Sequence, residues 1–160
     1  ICYNPLRETC MLTSWQIWEF VQELFLDKDE VSKIHIPSEQ GYISFSKKNK
    51  EIYIAFHQMG VIGVYDAESM KLKRKIRVAY SVKGITYDED LNLLIAPSYF
   101  TGYVYIFLMD GTDRLVSKQF VGYLLREAKL SQDKKCLYVS SPKGLYAIKM
   151  DMQNILENLK

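Results

Sequence analysis

The sequence predicts an all-β chain built from one repeated antiparallel unit, and three observations carry that prediction. Four short segments echo one another, Ile1-Cys2-Tyr3-Asn4, Ile43-Ser44-Phe45-Ser46, Ile85-Thr86-Tyr87-Asp88 and Ala128-Lys129-Leu130-Ser131, at spacings of 42, 42 and 43 residues. Each is followed at a matching distance by a polar turn and a second run rich in β-branched and aromatic residues. The second runs are apolar on both alternating sets, with Ile52, Ile54 and Phe56 on one side and Tyr53 and Ala55 on the other, as expected of a strand covered on both faces. A unit of this length made of short strands cannot cover its own apolar faces and has to stack on neighbours like itself.

The elements follow in the same order within each unit. After the opening strand, Asn4 to Glu8, Ser46 to Lys50, Asp88 to Asp90 and Ser131 to Lys135 have the Asn/Asp/Ser/Lys composition that reverses a chain. Second strands are expected at Cys10 to Ser14, Ile52 to His57, Leu93 to Ser98 and Cys136 to Ser141. Third strands are expected at Ile17 to Val21, Val61 to Asp66, Tyr103 to Met109 and Gly144 to Met150, after turn residues such as Met59-Gly60, Thr101-Gly102 and Pro142-Lys143-Gly144. The fourth strand turns polar: Lys71, Lys73, Lys75 and Arg77 alternate with Leu72, Arg74, Ile76 and Val78, and Arg114 to Val121 has a similar mixture. Such a strand suits an outer edge, where lysines discourage pairing with other chains.

Two stretches admit more than one reading. The third strand of the first unit comes about five residues early, implying a very tight middle hairpin, and residues 14–26 also fit a helix with Thr13 or Ser14 as N-cap and Trp15, Trp18, Val21 and Phe25 on one face. At the other end, Met152, Ile155, Leu156 and Leu159 fall at helical spacing, so residues 152–160 read as a short departing helix, or as the next outer strand or a frayed end.

Four antiparallel strands in about 42 residues are the blade of a β-propeller. The repeats resemble those of WD40 proteins over nearly the whole chain, with units at 1–42, 43–84, 85–127 and, incomplete, 128–151. The place that closes the third strand with Trp-Asp in that family is held by Trp18-Glu19, Tyr65-Asp66, Phe107-Leu108 and Ile148-Lys149. The Gly-His pair that precedes the opening strand is absent, so the repeats are degenerate. The resemblance implies about seven blades, hence an arc of a larger ring, and the start at Ile1 inside an opening strand is expected of a piece of a longer protein.

Composition narrows function. A formal net charge of +2 over 160 residues, with 48% apolar and 25% charged residues, describes an ordinary globular chain and makes nucleic acid an unexpected partner. Cys2, Cys10 and Cys136 have neither disulfide-framework nor zinc spacing, which points to reduced thiols and a cytoplasmic setting. No apolar run reaches the length of a membrane span, and no membrane partner is expected.

Material for catalysis is sparse. The two histidines, His35 and His57, read as edge or channel residues rather than metal ligands. Asp27-Lys28-Asp29-Glu30 lacks the glycine and distal glutamate of a calcium loop, and Asp88-Glu89-Asp90 falls where every unit has its polar turn. No cofactor or small-molecule substrate is expected. The opening strands offer Tyr3, Phe45, Tyr87 and Leu130 toward a central channel, instead of the acidic, Asn or His residues that a lactonase-like or quinoprotein-like propeller enzyme needs there. The electrostatic feature with functional content is the edge Lys71, Lys73, Arg74, Lys75 and Arg77, suited to an acidic protein surface. The expected function is a noncatalytic platform in a multi-subunit assembly, cytoskeletal or ciliary, with the propeller enzyme as the alternative.

Overall fold

The structure is a computed structural model that describes residues 1–13, 20–28, 30–36 and 40–151. The described residues form fifteen strands in four antiparallel sheets and contain no helix. The first sheet runs in the order β1 (Cys2–Asn4), β2 (Thr9–Leu12), β3 (Phe20–Phe25) and β4 (Glu30–His35). The second holds β5 (Gln40–Ser46), β6 (Glu51–Phe56), β7 (Val61–Asp66) and β8 (Leu72–Arg77). The third holds β9 (Thr86–Asp88), β10 (Leu93–Pro97), β11 (Tyr103–Leu108) and β12 (Arg114–Phe120). The fourth has three strands, β13 (Glu127–Leu130), β14 (Cys136–Ser141) and β15 (Gly144–Lys149). Strands neighbouring in sequence are neighbours in space, so every sheet is a meander.

The repeat is written in the backbone as well as in the side chains. Glu8, Lys50, Asn92 and Lys134, spaced by 42 residues each time, all sit in the left-handed region, with φ of 54°, 51°, 56° and 60°. Each ends the first hairpin turn of its sheet, where polar residues tolerate that conformation better than β-branched ones. The turn is then clasped from the end of the third strand: the amides of Leu26, Ala67 and Met109 donate to the carbonyls of Glu8, Lys50 and Asn92 at 3.3, 3.0 and 2.9 Å.

The sheets stack as propeller blades, and strand alternation decides which side chain enters which layer. Ile52, Ile54 and Phe56 on β6 pack with Met11, Val21 and Ile36 of the first sheet. Tyr53 and Ala55, on the opposite face of β6, pack with Leu94, Ala96, Tyr105 and Phe107 of the third. Leu93 and Ile95 then meet Leu137 and Val139 of the fourth. β6 and β10 are buried along their whole length because each serves two layers. The opening strands β1, β5, β9 and β13 lie side by side on the inner edge, and β8 and β12 are the outer edges of their sheets.

The first unit departs from its expected register. Thr9 pairs with Phe25 and Cys10 with Leu24, so the third strand of this sheet is Phe20–Phe25 rather than Ile17 to Val21. By that register Leu24-Phe25 stands where Tyr65-Asp66 stands in the second sheet, and Trp18-Glu19 lies outside the described residues. Val21 and Phe25, grouped on one face by the helical reading, lie on a strand; residues 14–19 and 152–160 are likewise outside the described part. An aromatic-acidic pair inside a stretch of mixed periodicity imitated the strand end that actually comes six residues later.

Candidate functional site

Of the five cations expected on an edge, Lys73, Arg74, Lys75 and Arg77 lie on the second sheet's outer strand and Lys71 immediately precedes it, but they are not equivalent there. A bulge between Val64 and Tyr65 breaks the alternation of β8 and brings Lys73 and Arg74 toward the same acceptor. Lys73 Nζ and Arg74 Nη1 each reach Glu51 Oε1 at 2.6 Å, and Arg74 Nη2 reaches Oε2 at 3.1 Å. Arg74 also bonds Asp113 of the third sheet through Nε, and through Nη2 at 2.8 Å. Its guanidinium therefore links two blades. Lys71, Lys75 and Arg77 stay exposed.

Glu51 is buried at the start of β6. Burial alone would raise its pKa, yet hydrogen bonds from Arg74 and Lys73 outweigh that and hold the carboxyl below its ordinary value. Glu23 repeats the arrangement in the first sheet, where Arg7 Nε and Nη2 bond its two oxygens at 2.7 and 2.9 Å and Thr9 Oγ1 donates at 2.8 Å. Burial again acts upward, and the Arg7 and Thr9 bonds again win.

Between the second and third sheets, Asn49 Nδ2 donates to Asn92 Oδ1 at 2.9 Å and to the Met109 carbonyl at 3.2 Å. The Tyr87 hydroxyl donates to Asn92 Oδ1 at 2.5 Å, and the Tyr53 hydroxyl to Glu51 Oε2 at 3.2 Å. Burial pushes the Tyr53 hydroxyl above its usual pKa. The acidic turn Asp88-Glu89-Asp90 belongs to the same system of ties: Glu89 accepts from the backbone amides of Lys47 and Lys48, while Lys134 bonds Asp88 and reaches Asp90 at 3.1 Å. Among the described residues no group of three or more His, Cys, Asp or Glu is placed to hold a metal ion. Asp27 and Lys28 are exposed, and Asp29 is outside the described part.

A cleft of about 570 Å³ opens along the inner strands, with Tyr42, Ser44, His57, Lys83, Thr86 and Lys129 among the residues of its wall. His57, half buried at the end of β6, lies 3.3 to 3.4 Å from Ser81 Oγ, and His35 is exposed at the end of β4. Three of the residues expected to face this channel do not. Phe45, Tyr87 and Leu130 pair with Ile52, Leu94 and Leu137 and so turn into the layers between sheets. Tyr3, their counterpart in the first sheet, is exposed. The period located these positions, but the face each presents follows from strand pairing, which the sequence left open by one residue.

Sequence reasoning missed a second surface. Tyr80, Phe100, Phe120 and Tyr123 are exposed around the second hairpin turn of the third sheet and the links that leave β8 and β12. Their signal was visible as aromatics inside turn sequences, Ala79-Tyr80-Ser81, Tyr99-Phe100-Thr101 and Gly122-Tyr123, where no strand layer uses them.

No family model and no curated protein matches the chain. Solved structures do match. Hydrazine synthase of Kuenenia stuttgartiensis superposes over 93% of the chain with a TM-score of 0.79 at 14% identity. A chain of the mitotic checkpoint complex superposes over 92% with a TM-score of 0.75 at 12% identity, and a functionally unknown protein from Desulfotomaculum acetoxidans DSM 771 over 84% with 0.72 at 16%. At these identities the likeness is one of fold. The chain spans 45% of the length of each.

Proposed function

We propose that the chain is an arc of a larger, degenerate WD40-like propeller that serves as a noncatalytic platform for protein assembly. The observation that carries the reading is the use of buried charge: Glu23 and Glu51, the buried carboxylates among the described residues, are each held by an arginine in a tie that fixes strands or neighbouring blades. Groups that could do chemistry are engaged in rigidity, and a rigid frame is what lets loops and rims bind without an ordering cost. Faces at both ends of the stack support the wider ring. Tyr3 on the first sheet, and Tyr138 and Leu145 on the fourth, are exposed where their counterparts Tyr87, Tyr53 and Ile62 are buried in layers. One of the matched solved structures is itself a multi-protein complex. Cys2, Cys10 and Cys136 carry free thiols, as suits a reducing, cytoplasmic setting.

The rival reading, a propeller enzyme, draws on the inner cleft, where His57, Lys83 and Lys129 share a wall with hydroxyl groups. Cross-linking and native mass spectrometry of the intact protein purified with its companions separate the two. The platform reading expects a protein neighbour in stoichiometric amount, cross-linked to blade loops or to Lys71 and Lys75. A small molecule or metal at one per chain, whose removal abolishes a turnover, would replace it with the enzyme reading.

A further inference from the structure

The two ends of the stacked sheets differ in their carboxylates. Around the first hairpin turns and the turns between third and fourth strands stand Asp66, Asp88, Glu89, Asp110, Asp113 and Asp133, mixed with cations such as Lys47, Lys48, Lys134 and Lys135. At the opposite end, residues 57–60, 78–84, 98–102, 118–126 and 141–143 contain no carboxylate. Arg77, Lys118, Arg126 and Lys143 are exposed there, and Lys83 Nζ lies 5.1 Å from the Tyr99 ring centre.

On that same end the exposed aromatic side chains form two groups on a floor built by three chain segments. Tyr80 stacks on Phe100 with centroids 6.0 Å apart and planes within 12°. Phe120 meets Tyr103 and Tyr123 edge-on at 5.4 and 5.5 Å, and Lys118 Nζ sits 4.6 Å from the Tyr103 ring centre. Tyr80, Phe100, Phe120 and Tyr123 are 59%, 53%, 49% and 59% exposed. Contiguous exposed aromatic surface is uncommon on a surface with no partner, and tyrosine, phenylalanine and arginine are residues that interfaces favour.

The floor is preorganised. Ser98 Oγ donates to the Tyr80 carbonyl at 2.9 Å and the Tyr99 amide to the Ser81 carbonyl at 2.8 Å. The Leu124 amide donates to the Tyr99 carbonyl at 2.6 Å, and the Val121 amide to the Gly102 carbonyl at 2.9 Å. Three chain segments are thus tied to one another before anything binds.

We infer that this floor binds an acidic peptide segment of a partner protein. Large apolar side chains of that segment rest on the Tyr80/Phe100 and Phe120/Tyr123 pairs while its carboxylates meet Arg77, Lys118 and Arg126. The inference rests on the platform reading and adds to it a surface and a partner chemistry. Charge complementarity selects an acidic occupant. Ring arrangement selects a peptide over nucleic acid: the rings stack on and meet one another edge-on, which takes up faces on which bases would stack.

The test is fluorescence anisotropy of the intact protein with four probes: a Glu- and Asp-rich peptide carrying Phe and Leu, the same peptide with Ala at its apolar positions, oligo-dT, and phosphatidylserine vesicles. The first peptide is expected to bind, more weakly as salt rises, and the Ala version about tenfold more weakly. Phe100→Ser with Tyr123→Ser, and separately Lys118→Glu, are expected to weaken the first peptide by about tenfold with an unchanged melting temperature, since these side chains are exposed. Equal binding by the variants, binding of oligo-dT or vesicles in preference to the peptide, or no binding at all would overturn the inference. Cross-links to the native partner distinguish its failure from that of the platform reading. Links that map to the Lys71 and Lys75 edge and survive the Phe100/Tyr123 change leave the platform standing, and the absence of any stoichiometric protein neighbour removes both.

Discussion

Asn92 shows how much one side chain does between two blades. It takes up a left-handed backbone, donates to the Met109 carbonyl at 2.8 Å, and accepts from Asn49 and Tyr87 at 2.9 and 2.5 Å. Asn92→Ala takes the acceptor from the Tyr87 hydroxyl, removes one of the two donors to the Met109 carbonyl and puts a poorly suited residue at positive φ, so it is expected to cost about 2 to 3 kcal/mol in denaturant unfolding. Asn92→Gly relieves the backbone part and not the rest. Glu51 gives the pH dependence. Its folded-state pKa is depressed, so its contribution is fully present above the ordinary value of 4.5 and is lost as pH falls through the lower, folded value. Melting temperature is expected to fall on acidification below that ordinary value and to fall less in Glu51→Gln, with Glu23 supplying part of the remaining slope. Arg74→Ala, which leaves Glu51 buried with Lys73 as its cation and the Tyr53 hydroxyl as its other donor, is expected to cost on the order of 3 kcal/mol at neutral pH. None of this pairing was legible beforehand. The sequence marks Asp88 to Asp90 and Ser46 to Lys50 as polar turns, but Asn49 and Asn92 are 43 residues apart and only the stacking of blades brings them together.

Elements were more legible than contacts, because a strand writes its period into consecutive residues whereas a contact between blades does not. β6, β7, β10 and β11 fall within a residue or two of where alternation and turn residues place them. β3 does not, because Trp18-Glu19 satisfied the same pattern as the true strand end at Leu24-Phe25. The contact between neighbouring opening strands left a trace that carried meaning only in three dimensions. A Cβ on Gly41 would stand 2.4 Å from the Lys83 carbonyl oxygen, and one on Gly84 would stand 2.1 Å from that of Arg126. Positions 41 and 84 make the same approach one blade apart, and the Tyr42 amide donates to the Lys83 carbonyl beside it at 3.0 Å. Gly41→Ala and Gly84→Ala are each expected to push adjacent blades apart and cost about 1 to 3 kcal/mol or more, read as a lower denaturant midpoint.

At the scale of the molecule, successive layers are built from opposite faces of the same strands, so no blade is independent of the next. Stability is then expected to spread along the stack as a sum of blade and interface contributions, with the second and third sheets, covered on both sides, the most protected against hydrogen exchange. The same stacking sets all second hairpin turns at one end and all first hairpin turns at the other, which gathers carboxylates mixed with lysines at one end and leaves exposed aromatics with cations at its opposite. That asymmetry was present in the sequence from the start, but it becomes readable only once alternate turns are known to point the same way. The most direct measurement is an experimental density map of the intact protein in its native assembly. The account predicts further blades covering the Tyr3 face and the Tyr138 and Leu145 face, with a protein neighbour on the loops or outer edge. A ring in which the first and fourth sheets close directly on each other, or an isolated propeller with a small molecule against His57 and Lys83 in the inner cleft, would contradict it.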